Sequence, residues 1–285
     1  MIRSLPRKEW PESLLEIPEP PKQLRYEGTL PTEGNKLLAI VGARKYSAYG
    51  REVCEELIMS LQGEPITIVS GLALGIDSIA HRTAIRAGLQ TIAIPGSGLD
   101  RSVIHPRSHA PLADEIVANG GGLLSEYDDT MPAGVWAFPR RNRIMAGLCQ
   151  AVLIIEAEKR SGTLITSRLA TEYNKEVGAI PGPLHSPTSE GPHMLLRLGA
   201  TLVRDKNDIL EMLGLPRKDE APTLMDIEEL SSDEKKFITL LTEPCERNEL
   251  IRKSKLETSI AMATLSLLEI KGLVVEEMGE IRKTF

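Results

Sequence analysis

The chain has 285 residues, 41% hydrophobic and only 4% aromatic, which suits an aliphatic core in either one large α/β domain plus a small appendage or two medium domains. Its net charge of −6 excludes a protein that coats nucleic acid indiscriminately, since bulk affinity for phosphate grows with the number of neutralising cations, so any such site must be local. Cys54, Cys149 and Cys245 stand apart with no CxxC knuckle or disulfide framework, no apolar run nears the ~20 residues of a membrane helix, and no signal pattern opens the chain. The expectation is a reduced, cytoplasmic protein with no membrane association, metal or cofactor.

Residues 1–36 read as a proline-rich lead-in packed on the main domain, because Pro11, Pro18, Pro20 and Pro21 confine the backbone to extended and turn conformations. From residue 37 to 213, strand-like runs at 37–41, 66–69, 91–94, 122–124, 151–155, 177–180 and 201–203 alternate with helical patterns, including 49–61, 76–87, 112–118 and 163–173. This predicts an α/β class, a Rossmann-like, doubly wound and mostly parallel sheet. Residues 214–223 read as a linker. In 224–285, helical patterns at 233–241, 247–253 and 259–271, a stop at Gly272, and strands at 273–278 and 281–284 around Gly279 predict a small C-terminal winged-helix domain.

In such sheets ligands collect at the carboxyl ends of the strands. There the first strand runs into Gly42, Arg44 and Lys45, the second into Ser70, Gly71 and Gly75, and the third into P-G-S-G-L-D at 95–100. The fifth strand is preceded by F-P-R-R-N-R, with Phe138, Arg140, Arg141, Asn142 and Arg143 set against it, and exits into Lys159, Ser161, Gly162 and Thr163. Guanidiniums beside an aromatic ring suit a polyanion whose bases stack, and the Ser161 to Thr163 amides suit an anion. Single-stranded nucleic acid is the chemistry that fits, with phosphates on Arg44, Lys45, Arg141, Arg143 and Lys159 and a base on Phe138.

Blander readings stand beside these. Gly71 and Gly75 admit either a phosphate or tight strand-to-helix packing, and Phe138 is either a stacking platform or core. Asp77 and His81 read as a helix cap and a structural histidine, and Glu156 and Glu158 as carboxylates that orient arginines or cap the next helix. No G-x-G-x-x-G, P-loop, H-E-x-x-H or G-x-S-x-G is present, so no catalytic residue is assigned. The apolar Met194, Leu195, Leu196 and Leu198 serve either a subunit interface or the helix's own burial. Before position 221 there are 25 basic and 27 acidic residues, and after it 9 and 13, which leaves the tail the weaker nucleic-acid binder.

Taken in order, V-G-A-R at 41–44, S-G-L-A-L-G-I-D-S-I-A-H at 70–81, G-S-G-L-D at 96–100, L-L-S-E-Y at 123–127, F-P-R-R-N-R-I-M-A-G-L at 138–148, S-G-T-L-I-T at 161–166, I-P-G at 180–182 and L-G-A at 198–200 resemble the DNA-processing protein A family, also called DprA or Smf. The resemblance implies a domain that binds single-stranded DNA without catalysis, forms a homodimer, protects incoming strands in natural transformation and loads the RecA recombinase. By it, Arg44 is the arginine of the family's G-S-R motif, and Phe138, Arg141, Asn142 and Arg143 fill its F-P-x-R-N-R motif. Ala43 replaces the motif's serine and His105 the tyrosine of a Y-P pair, while the N-terminal helical domain of many relatives is expected to be absent or reduced. The rivals are a nucleotide-hydrolysing Rossmann enzyme of the lysine-decarboxylase-like class and a duplex-binding regulator acting through the winged helix.

Overall fold

A computed structural model describes residues 1–217, 230–241, 243–271, 273–277 and 279–283 and divides the chain into two units, Met1–Pro216 and Arg217–Phe285. In the first, β1 (Arg3–Ser4), α1 (Glu12–Leu15) and β2 (Arg25–Gly28) precede β3 (Lys36–Val41), α2 (Ala48–Ser60), β4 (Ile66–Ser70), α3 (Ile76–Arg86), β5 (Thr91–Ala93), α4 (Ala110–Ala118) and β6 (Gly122–Ser125). There follow α5 (Ala137–Leu148), β7 (Ala151–Ile154), α6 (Thr163–Glu172), β8 (Glu176–Ala179), α7 (Glu190–Arg197), β9 (Thr201–Leu202) and α8 (Lys206–Met212). The nine strands form one sheet in the order β1-β2-β6-β5-β4-β3-β7-β8-β9. Pairings from β3 to β9 are parallel, whereas β2 runs antiparallel to β6 and β1 antiparallel to β2. The mostly parallel, doubly wound class expected from the alternation is the one observed.

Period-2 alternation along β3 sorts its side chains to two cores. Leu37, Ala39 and Val41 join Ile144 and Met145 of α5 and Ala170 of α6, and Leu38 and Ile40 join Ile58 of α2 and Ile76 of α3. Each fully buried Leu or Ile contributes roughly 1.5–3 kcal/mol over its exposed state. The lead-in feeds the α5 side of this core through Leu5, Trp10, Leu14, Ile17 and Leu24, and Gly147 lets Ile17 approach α5.

Two departures from the expected elements bear on the site. The F-P-R-R-N-R string, read as a segment laid against a strand, is the first half of α5. Pro139 is accommodated in its first turn, where a backbone N–H has no intrahelical partner to lose. The strand order reverses at β3, which has β4 on one side and β7 on the other. Chains leaving these two strands pack helices on opposite faces and part above the sheet edge, leaving a crevice between them.

The second unit contains α9 (Ser232–Leu240), β10 (Cys245–Glu246), α10 (Arg247–Ser254), α11 (Thr258–Ile270), β11 (Val274–Glu277) and β12 (Glu280–Lys283). Ser231 and Glu234 close a capping box on α9, and Phe237, Leu250, Leu265, Leu268 and Ile281 form the core. The antiparallel sheet β10-β12-β11 with three helices is a winged-helix arrangement, and Gly279 makes the β11–β12 turn at φ 84°. Positions 218–223 of the expected linker, 224–229 of the expected tail domain and the expected stop at Gly272 lie outside the described residues.

Candidate functional site

The switch-point crevice encloses about 460 Å³ and is walled by the turn after β3, the start of α5 and the turn after β7. Arg44 and Lys45 leave β3 exposed and line it, with Gly42 behind them backed by Ile76. The Arg44 guanidinium lies 5.4 Å from the centroid of the half-buried Phe138 ring. His105 is a ring neighbour, at 5.6 Å and tilted 47°. Phe138 is let in by Gly96, where a Cβ would come within 2.6 Å of it. This glycine lies in a quoted motif, yet its partner is invisible without the fold.

Opposite, Ser161 Oγ donates to Thr163 Oγ1 at 2.9 Å and accepts from the Thr163 amide at 3.1 Å, shaping the turn that starts α6. Thr163 Oγ1 in turn donates to the Gly42 carbonyl at 3.2 Å, which joins the β7 turn to the β3 turn. Gly162 is exposed at the mouth. Lys159 is exposed but does not line the crevice, whereas Glu158 does.

Arg141 binds these walls together. It is only 5% exposed, and its Nη1 donates to the Gly71 carbonyl at 2.6 Å and to the Ile94 carbonyl, while Nε donates to Asn142 Oδ1 at 3.1 Å. Asn142 Nδ2 reaches the Gly162 carbonyl at 3.5 Å. Burial lowers the Arg141 pKa to about 10 against the favourable field of Asp77, so the guanidinium stays charged at neutral pH. Burial likewise raises the Asp77 pKa, opposed by Arg141 and by the Ala73 and Gly71 amides donated to it.

Several sequence expectations are corrected here. Ser70 is buried and donates to the Ile40 carbonyl at 2.6 Å, and it offers nothing to the crevice. Both glycines are buried: the bare face of Gly71 abuts the Arg141 guanidinium, with its amide given to Asp77 and its carbonyl accepting from Arg141, and that of Gly75, at φ 86°, abuts the Ala43 carbonyl. Tight packing is the reading that holds for both. Arg143 is buried, paired with Glu126 and absent from the crevice lining, because it stands two residues past Arg141 on a helix and so faces away. Arg140 is half-exposed, 3.7 Å from the same carboxylate.

Glu156 orients no arginine: its carboxylate accepts from the Ser47 amide and hydroxyl, at 2.9 and 2.6 Å, and from Thr188 Oγ1 at 2.7 Å, which fixes the start of α2. Asp77 ties down the loop before α3 by accepting from Gly71 and Ala73, and His81 is a structural histidine, its Nδ1 2.7 Å from Thr91 Oγ1. Sequence reasoning missed the Glu156 anchor and the exposed Trp136 at the head of α5.

A family model described as DNA recombination-mediator protein A matches residues 2–214. Protein Smf of Escherichia coli (strain K12) is 44% identical over 215 residues, covering 75% of this chain. The match spans 57% of that protein's length. DNA processing protein DprA of Streptococcus pneumoniae is 42% identical, covering 70% of each chain, and its X-ray structure superposes with TM-score 0.69 at 40% identity over 74% of each. A structure of DNA processing protein A from Helicobacter pylori, described for its single-stranded DNA binding mode, gives TM-score 0.67 at 29% identity, covering 74% of this chain and 95% of that one.

Proposed function

The chain belongs to the DNA recombination-mediator protein A family, and on that premise we propose that it is a sequence-tolerant binder of single-stranded DNA that protects the strand and loads RecA onto it in transformation or recombination. The observation that carries the reading is the exposed Arg44 cation set over the Phe138 ring at the switch-point crevice, with Lys45 beside it and the Ser161 to Gly162 turn opposite. Phosphate goes to the cations and the Gly162 amide, since the Ser161 and Thr163 amides are donated to the Glu158 carbonyl and to Ser161 Oγ, and a base goes to the ring. Arg141 and Asn142 hold the walls, while Lys159 and Arg140 are cations outside the lining. Positioning through phosphates without base-edge contacts makes binding indifferent to sequence.

A binding role without catalysis fits the commitments of the groups best suited to chemistry. The Glu156 carboxylate is engaged by Ser47 and Thr188, and the Ser161 hydroxyl by Thr163. Release of free base from nucleoside monophosphates would instead favour the hydrolase. A duplex regulator is disfavoured by α11, which contains no Lys or Arg and exposes Ile260, Met262 and Leu267. Fluorescence anisotropy with labelled oligo-dT and matched duplex across a salt series tests the proposal. Single strands are expected to bind tighter, and Arg44→Ala to weaken binding and flatten the log–log salt slope by about 0.7. Undiminished affinity in that variant, or equal preference for duplex, would defeat it.

A further inference from the structure

Trp136 is 58% exposed, the most open of the described Phe, Tyr and Trp rings, whereas Trp10 is sealed at 7%. Solvent-facing indole is costly, since a large apolar ring gains most from burial. Its position is nevertheless fixed. A Cβ at Gly134 would come within 2.7 Å of the indole Nε1 and 3.1 Å of Cδ1, so the ring lies against a bare glycine, and Tyr127 meets it at right angles, 5.7 Å between centroids.

Arg140 stands four residues on, on the same side of α5. Its field also reaches the Tyr127 hydroxyl. Its nearest carboxylate, Glu126 at 3.7 Å, is shared with Arg143, which holds it more closely. Phe138, two positions from Trp136, projects to another side of the helix start and into the crevice. A held ring with an exposed face, a partly committed guanidinium beside it and a polyanion crevice next to both match a base and its phosphate. An apolar protein partner would need a patch of several hundred Å², and among the described residues from 127 to 148 only Val135 joins Trp136 as an exposed large hydrophobic residue.

We propose that Trp136 is a second nucleobase-stacking subsite, which takes a base of single-stranded DNA flanking the one at Phe138, with Arg140 on the intervening backbone. The proposal rests on the single-strand reading above. It extends the occupied strand beyond the crevice and around the head of α5.

The chain has two tryptophans and one is buried, so quenching of the intrinsic fluorescence by a ligand in solution reports on Trp136, over a constant emission from Trp10. Titration of the full chain with oligo-dT is expected to quench emission saturably, in parallel with the anisotropy of a labelled oligonucleotide. Trp136→Phe should abolish the quench while retaining most of the affinity, and Trp136→Ala should lower affinity about 5- to 100-fold, the usual range for one stacked base. Binding by anisotropy with no quench, or an unchanged affinity in Trp136→Ala, would overturn the subsite and leave the single-strand reading standing. No binding in either signal would overturn both. Emission that follows protein concentration but not oligonucleotide would make Trp136 a contact between chains and likewise overturn the subsite.

Discussion

Arg44 stands in solvent over the Phe138 ring, so truncating it removes a surface cation and leaves the packing intact. Arg141, 5% exposed, satisfies the Gly71 and Ile94 carbonyls from one guanidinium. Arg44→Ala is expected to keep folding stability within about 0.5 kcal/mol. Arg141→Ala should cost about 3 kcal/mol or more, because two buried carbonyls lose their donor and a cavity opens. Urea unfolding of both variants checks this, and an unchanged midpoint for Arg141→Ala would remove it as the tie between loops. The amino-acid string showed these arginines as equals. Once 138–143 is laid extended against a strand, Arg141 and Arg143 share one face. On a helix, positions 141 and 143 diverge, and only the three-dimensional partners, Gly71 for one and Glu126 for the other, tell a wall tie from an internal ion pair.

At the scale of elements, period-2 and 3.6-residue patterns located β3 to β9 and the helices α2, α3, α4 and α6 within two residues of their observed ends, whereas α5 was not among them. The leading strands escaped because β1 has two residues and β2 reads R-Y-E-G, with no apolar run; β2 becomes a strand only through its ladder to β6, where Arg25 faces Ser125. A further tie between elements is His81 of α3, whose Nδ1 lies 2.7 Å from Thr91 Oγ1 at the start of β5. Burial, then the fields of His109 and Arg141, lower its pKa to about 3. The unfolded chain therefore takes up a proton below about 6.5 that the fold refuses, so stability is fully present above that pH and is lost as pH falls toward 3, by about 1.4 kcal/mol per unit. Asp77, with a raised pKa, works in the opposite sense, since the fold favours its protonated form and stability falls as pH rises through its titration. It is common to wild type and His81→Gln, so the difference between their urea midpoints isolates the histidine. That difference should change steeply below pH 6.5, and a pH-independent difference would refute the assignment.

For the molecule as a whole, the acidic excess sits disproportionately in the small second unit, and the crevice belongs to the first. The first unit has another feature of its own. β9 is an edge strand, and edges of sheets are ordinarily covered. Beside it a cleft of about 780 Å³ is bordered by Met194 and Leu198, while Leu195 is buried in the subunit's own core. Leu198 is 76% exposed, Leu202 44% and Met194 37%, so the open question of the α7 cluster divides: Leu195 and the partly buried Leu196 serve the fold, and Met194 and Leu198 face outward. Ile165 of α6 lines both this cleft and the crevice, so a second copy seated here would set two crevices a helix apart from the shared interface. A strand held at both would dissociate more slowly than from one, by the effective concentration of the second site. If a second copy seats here, Leu198→Arg places a charge in that seam and halves the mass seen by light scattering while leaving the far-UV circular dichroism unchanged, because the side chain already stands in solvent in the single subunit. Its affinity for short oligo-dT filling one crevice should persist, and its advantage on longer oligomers should disappear. A monomer mass for the unmutated chain, or a dimer mass that survives Leu198→Arg, would overturn a second copy at this cleft.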